Sequence, residues 1–150
     1  MRLALIGLVL AVVACQEPAA PVMDLNAIRV DVAVVPGMVI LGTDAQIAVT
    51  LTNTSRRTVE VSPCPVYFWI QDSAGNVVKG SRDVGCFLAV GLVYVPLRLK
   101  PAESKTFTFD WPSAETQTLA LGYYSAFGWL ADLDHVSAPA TVRVIAAATP

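Results

Sequence analysis

Histidine is the commonest general base of nucleophilic catalysis, and this sequence has one, His135. Any Ser-His-Asp or Cys-His mechanism would have to be built on it. It lies in Leu133-Asp134-His135-Val136, and no Gly-x-Ser-x-Gly motif elsewhere supplies a nucleophile. Asp132, Asp134 and His135 put two carboxylates and one imidazole close together, too few to hold a metal without ligands from elsewhere. A solvated loop is the plainer reading. A blue-copper site needs two histidines beside a cysteine, so the single histidine excludes it. Paired carboxylates for glycoside hydrolysis would have to come from Asp72, Asp83, Glu103, Asp110, Asp132 and Asp134. Most of these fall at predicted turns, where aspartate usually bonds its own backbone. No glycine-rich phosphate cradle is present. The expectation is a chain with no catalytic residue, no metal and no cofactor.

The three cysteines carry a stronger signal. Cys15 closes Val12-Val13-Ala14-Cys15 after a segment with Arg2 at its start and an apolar run over residues 3–13. A basic start, a short apolar stretch and a small residue before the cut are the parts of an export signal. As a helix the run rises roughly 16 Å, about half the hydrocarbon thickness, too short to span a membrane. Gln16-Glu17-Pro18-Ala19-Ala20-Pro21 follows at once and cannot continue a core element. The Val-Val-Ala-Cys stretch resembles the lipobox of bacterial lipoproteins. The resemblance implies cleavage after Ala14 and acyl chains on Cys15, and two or more chains anchor stably where one does not. Gln16, a non-acidic residue after the modified cysteine, then implies the outer membrane in a diderm organism. The competing readings are a buried first element of a cytosolic domain and plain secretion with cleavage elsewhere. The expected organisation is a signal peptide over 1–14, a lipidated cysteine and Pro/Ala-rich tether over 15–26, and a folded domain over 27–147.

If Cys15 is acylated, Cys64 and Cys86 remain. An even pair in an oxidising compartment most often forms a disulfide, and closing a loop of about 22 residues contributes roughly 3 kcal/mol. A redox or metal pair is the alternative, although there is no Cys-x-x-Cys and Cys64 sits between Pro63 and Pro65. The mature chain would carry nine basic and twelve acidic residues, a net charge of −3 (9 − 12). Arg56-Arg57 is the only basic pair, so nucleic acid is not an expected partner.

These groups must be positioned by strands. From Ala27 the apolar residues recur at period two. Ile28, Val30, Val32 and Val34 form one face and Pro36-Gly37 ends the strand. Ile47, Val49 and Leu51 face inward in the next, with Thr50 and Thr52 outward. A short strand follows over 58–61. Val66–Gln71 is aromatic and β-branched and is expected to be central. Asp72-Ser73-Ala74-Gly75-Asn76 is a hairpin turn. Strands are expected over 77–79 and 92–99, the latter at an edge because of Pro96. Over 105–111, Phe107, Phe109 and Trp111 share one face. A polar connection over 112–118 leads to strands over 121–130 and 140–146, separated by a loop over 131–139. About eight or nine short strands with regular turns and no amphipathic helix argue an all-β, immunoglobulin-like antiparallel sandwich. Tyr124 has two readings: a tyrosine corner, or a core aromatic with its hydroxyl at the rim.

The order of motifs resembles the BsuPI family, the intracellular proteinase inhibitor-type domain. It runs Thr52-Asn53-Thr54, then an aromatic strand closing on Asp72-x-x-Gly75, then Leu99-x-Pro101-x-Glu103 before Phe107-x-Phe109-x-Trp111. Gly122-x-Tyr124 and Val142-x-Val144 complete it. The resemblance covers residues 41–144 and implies an immunoglobulin-like sandwich and protease inhibition. The export signal and the Cys64/Cys86 segment depart from the family. Two surface candidates follow from the residues themselves. Arg82, Leu88, Val90 and Leu92 would form a partner patch if exposed, and core if buried. Phe127-Gly128-Trp129-Leu130 poses the same question. The expected function is a membrane-anchored, non-catalytic envelope lipoprotein for protein interaction or envelope structure. Its expected partners are membrane lipid through Cys15 and an envelope protein. The alternative is inhibition of an extracytoplasmic protease.

Overall fold

The computed structural model describes residues 25–61, 66–81, 96–130 and 135–148. A one-turn 3-10 helix (Leu25–Ala27) leads into β1 (Ile28–Val35), which buries Ile28, Val30 and Val34 and exposes Arg29 and Asp31. β3 (Ala45–Asn53) alternates as cleanly, with Ile47, Val49 and Leu51 fully buried. β8 (Ser104–Trp111) turns Phe107, Phe109 and Trp111 inward. These three make one sheet, ordered β1-β3-β8 and antiparallel throughout.

The second sheet holds β2 (Met38–Ile40), β5 (Val66–Gln71), β6 (Val77–Gly80), β9 (Gly122–Leu130), β10 (His135–Val136) and β11 (Ala140–Ile145). Its order is β2-β11-β9-β5-β6, with β10 also on β9. β5 is interior, as its composition predicts. β4 (Val59–Val61) and β7 (Leu97–Leu99) pair as a separate ribbon. The two main sheets pack face to face as an all-β, immunoglobulin-like sandwich, with β1, β3 and β8 opposite β5, β9 and β11. Trp111 is the largest fully buried side chain, and Phe68 meets Phe109 across the core at 4.8 Å.

Three elements differ from the expectation. β2 pairs in parallel with β11, Val39 opposite Val144. His135 and Val136 pair with Leu130 and Trp129 instead of lying in a loop. The connection after Pro112 contains a one-turn helix, α1 (Ser113–Thr116), whose first N–H donates to Asp44 Oδ1 at 2.6 Å. Each is too short for its periodicity to show. Of the strand expected over 92–99, residues 96–99 fall within the described residues, and Leu97–Leu99 is the strand β7.

Polar groups in the core are paired, as burial demands. Asn53 is wholly buried. Its Nδ2 donates to the carbonyls of Arg57 (2.7 Å) and Leu99 (2.8 Å). Its Oδ1 accepts from the N–H and hydroxyl of Ser55 at 2.9 and 2.8 Å. One side chain thus ties the end of β3 to the following loop and to β7. Two buried serines complete the second sheet where its outer strands leave it. Ser81 Oγ accepts from Phe68 N–H at 2.8 Å, and Ser137 Oγ from Gly128 N–H at 2.9 Å. Phe68 and Gly128 face each other in register, so each hydroxyl supplies the acceptor a neighbouring strand would otherwise provide. Tyr124 donates its hydroxyl to the Ala120 carbonyl at 2.8 Å, four residues upstream. That is the tyrosine corner of the two readings.

Candidate functional site

The inward phase of β5 is Val66, Phe68 and Ile70, and that of β9 is Tyr124, Ala126, Gly128 and Leu130. The opposite phase therefore faces outward. On β5 it carries Tyr67 and Trp69; on β9, Tyr123, Phe127 and Trp129. Register sets Tyr67 beside Trp129 and Trp69 beside Phe127. The first pair is tilted with centroids 5.5 Å apart, and the second is stacked at 5.1 Å with 13° between planes. Such cross-strand aromatic pairs contribute about 0.5–1.5 kcal/mol beyond area burial. Tyr123, 63% exposed, continues the row, and the Arg143 guanidinium of β11 lies 5.9 Å from its ring centre. Met38 and Ile40 on β2 and Val77 on β6 are exposed at the two flanks.

The outer face of the other sheet is its chemical opposite. Thr50 bonds Thr106 at 2.9 Å and Thr52 bonds Ser104 at 2.8 Å, hydroxyl to hydroxyl. Arg29 pairs with Asp31 on the same surface at 2.8 Å. A polar outer face is what a sandwich in water needs, and the aromatic one is the exception. Trp129 adds to it: its indole N–H is buried with no hydrogen-bond partner among the described residues. A buried donor left unpaired costs about 1–3 kcal/mol.

Those of the expected chemistry-bearing groups that fall within the described residues do not converge. Cys15, Cys64 and Cys86 lie outside the described residues, as do Arg82, Leu88, Val90, Leu92, Asp83, Asp132 and Asp134. His135 is exposed on β10. Asp72 closes the β5–β6 hairpin: Oδ1 accepts from the N–H groups of Ala74 and Asn76, and Oδ2 from the Asn76 amide at 2.9 Å. Those bonds, the Asn76 side chain first, hold its carboxyl below the ordinary value of 3.8, and the carboxylate serves as the acceptor of the turn. Glu103 accepts from Lys100 N–H at 2.7 Å. Asp110 shares an open hollow of about 510 Å³ with Asp44, Gln46 and Pro112. Among the described residues no group of three metal-ligating side chains converges, and no helix is long and apolar enough to cross a membrane. Of the segment 127–130, Leu130 is core while Phe127 and Trp129 belong to the aromatic face. Alternation alone does not select the inward phase when both phases are apolar, which is why this face escapes sequence reasoning.

No family model and no curated protein matches the chain. Solved structures match at low identity. The chain aligns with a DNA glycosylase for alkylpurines from Pseudomonas fluorescens at 13% identity and TM-score 0.49, covering 79% of this chain and 30% of that one. A β-glucosidase from Listeria innocua matches at 18% and 0.45, covering 80% and 16%. A CARDB domain from Pyrococcus furiosus, in complex with di-metal ions, matches at 16% and 0.43, covering 79% and 87%. The chain thus spans under a third of the glycosylase and of the glucosidase. Likenesses this distant carry no argument about activity, and the fold assignment rests on the strand pairing above.

Proposed function

We propose that this protein is a lipid-anchored lipoprotein of the bacterial cell envelope whose sandwich is a non-catalytic protein-interaction module. Anchoring rests on the Val12-Val13-Ala14-Cys15 stretch. The interaction role rests on one observation: the outer face of the second sheet is paved with Tyr67, Trp69, Tyr123, Phe127 and Trp129, while the opposite face is hydroxylated. Aromatic residues and arginine are the types enriched where protein interfaces concentrate their binding energy, and Arg143 stands among these rings. The alternative, inhibition of an extracytoplasmic protease, would need the segment 82–92 as its blocking loop, which lies outside the described residues.

The test places a photo-crosslinking amino acid at Tyr123 and, separately, at Thr106 on the hydroxylated face, in full-length protein in native envelopes. A discrete cross-linked partner from position 123 alone is the expected result. Equal products from both positions, or none from either, would refute the interaction role. Labelled fatty acid entering the wild type but not Cys15→Ala checks the anchor independently.

A further inference from the structure

The strands run between two chemically different ends. At the end where β1 begins, Arg29, Arg56, Arg57, Arg98, Lys100 and Lys105 meet three carboxylates, Asp31, Glu60 and Glu103, a net +3 (6 − 3). At the other, Asp44, Asp72, Asp110 and Glu115 meet Lys79 and Arg143, a net −2 (2 − 4). These totals are for the described residues. At the basic end Asp31 is taken by Arg29, and Glu60 by Arg98 at 2.6 Å. Glu103 closes its own turn on Lys100 N–H. Arg56, Arg57, Lys100 and Lys105 are exposed, and none forms an ion pair among the described residues.

The same end receives the N-terminal segment. Ala27 O accepts from Thr54 N–H at 2.7 Å and from Thr54 Oγ1 at 2.9 Å, so the entry point of the domain is bonded to the loop bearing Arg56 and Arg57. Asn53 N–H donates to Glu103 O and Ala102 N–H to Asn53 O, which seats the Lys100 turn beside that loop. Between Cys15 and this point lie residues 16–26, at most ~36 Å when extended.

We infer that the basic end of the sandwich docks on anionic lipid headgroups, with Arg56, Arg57, Lys100 and Lys105 as the contacting cations. This inference rests on the lipid-anchor reading. The occupant follows from where the chain leads: a short tether from an acylated residue holds these cations at high effective concentration over the membrane. Each basic residue near an anionic surface strengthens attachment by about fivefold (about 1 kcal/mol), within a Debye length. Docking would leave the acidic end outermost and stand the aromatic face roughly perpendicular to the membrane, open to a lateral partner.

The test uses full-length lipidated protein in nanodiscs of phosphatidylcholine alone or with phosphatidylglycerol, read by hydrogen exchange. Amides of residues 54–58 and 100–103 are expected to gain protection only in anionic discs, with α1 unchanged. High salt should remove the gain. Arg56→Gln with Arg57→Gln should reduce the docking equilibrium constant about 25-fold. The Arg57 backbone, not its side chain, serves the Asn53 hub, so this variant keeps the fold. Protein in both discs with equal exchange overturns the docking and leaves the anchor standing. Protein recovered with neither disc refutes the anchor and the docking with it.

Discussion

Replacing Asn53 with leucine tests whether one buried amide holds the basic end together. Leucine keeps the branching at Cγ and is the larger side chain, so no cavity opens, and the change removes four hydrogen bonds. The Leu99 carbonyl is buried at its contact with Nδ2, and leaving it unpaired costs about 1–3 kcal/mol. The bonds to Ser55 and Arg57 lie nearer the surface, where water replaces part of each, and together they add about 1–2 kcal/mol. Arg57 O also retains the Ser55 hydroxyl at 3.0 Å. The sum is about 3 kcal/mol, or roughly 10 °C in Tm for a domain of this size. Urea denaturation at constant m-value measures it. Asn53→Asp keeps the acceptor for Ser55 but turns a carboxylate oxygen toward two carbonyls. Its carboxyl pKa is therefore raised in the folded state, and it should destabilise more at neutral pH than in mild acid. A loss below about 1 kcal/mol for Asn53→Leu, or no pH dependence for Asn53→Asp, would refute the hub.

A Cβ at Gly128 would come within 2.8 Å of Val49 Cγ1 and 3.3 Å of Val30 Cγ1. Gly128→Ala should cost about 1–3 kcal/mol by overpacking, and Val49→Ala should be less harmful with it than alone, as a double-mutant cycle would show. Tyr124→Phe removes the bond to Ala120 O and should cost about 1 kcal/mol in denaturant midpoint, with the fold retained by circular dichroism. The Asp72 carboxyl should titrate below 3.8 by carbon-13 NMR. Because its folded pKa is depressed, its contribution is present above the unfolded value and is lost as pH falls through the folded one. Asn76→Ala should return the titration toward 3.8, and a titration unchanged by that substitution would remove the cause assigned here.

The sandwich was legible because half-buried strands must alternate. Ile28 to Val34, Ile47 to Leu51 and Phe107 to Trp111 each carry a face that only one phase can bury. β2 and β10 were not legible, because two or three residues hold no period and their pairing is decided by β11 and β9. The aromatic face was hidden for a different reason. In Val66–Gln71 both phases carry large apolar residues, and packing across the sandwich, Phe68 against Phe109 of β8, decides that Phe68 goes in while Tyr67 and Trp69 stay out. Asn53 reads as a loop residue, since nothing local shows that its amide will be enclosed by Arg57 and Leu99. The basic end is invisible in a scan for charge runs, because antiparallel pairing gathers residues 29, 56, 57, 98, 100 and 105 from separate segments.

The parallel pairing of β2 with β11 has a mechanical meaning. A load applied between the residues before β1 and those after β11 enters β1 and β11 first, and once β1 yields it pulls β2 and β11 past each other along their length. Arg143 N–H to Gly37 O at 3.1 Å and Leu41 N–H to Ile145 O at 2.9 Å lie in this seam and would be strained in shear together rather than opened one by one. Rupture under tension is governed by the unfolding rate, so the seam, and not the sandwich's equilibrium stability, would set how long the domain survives such a pull.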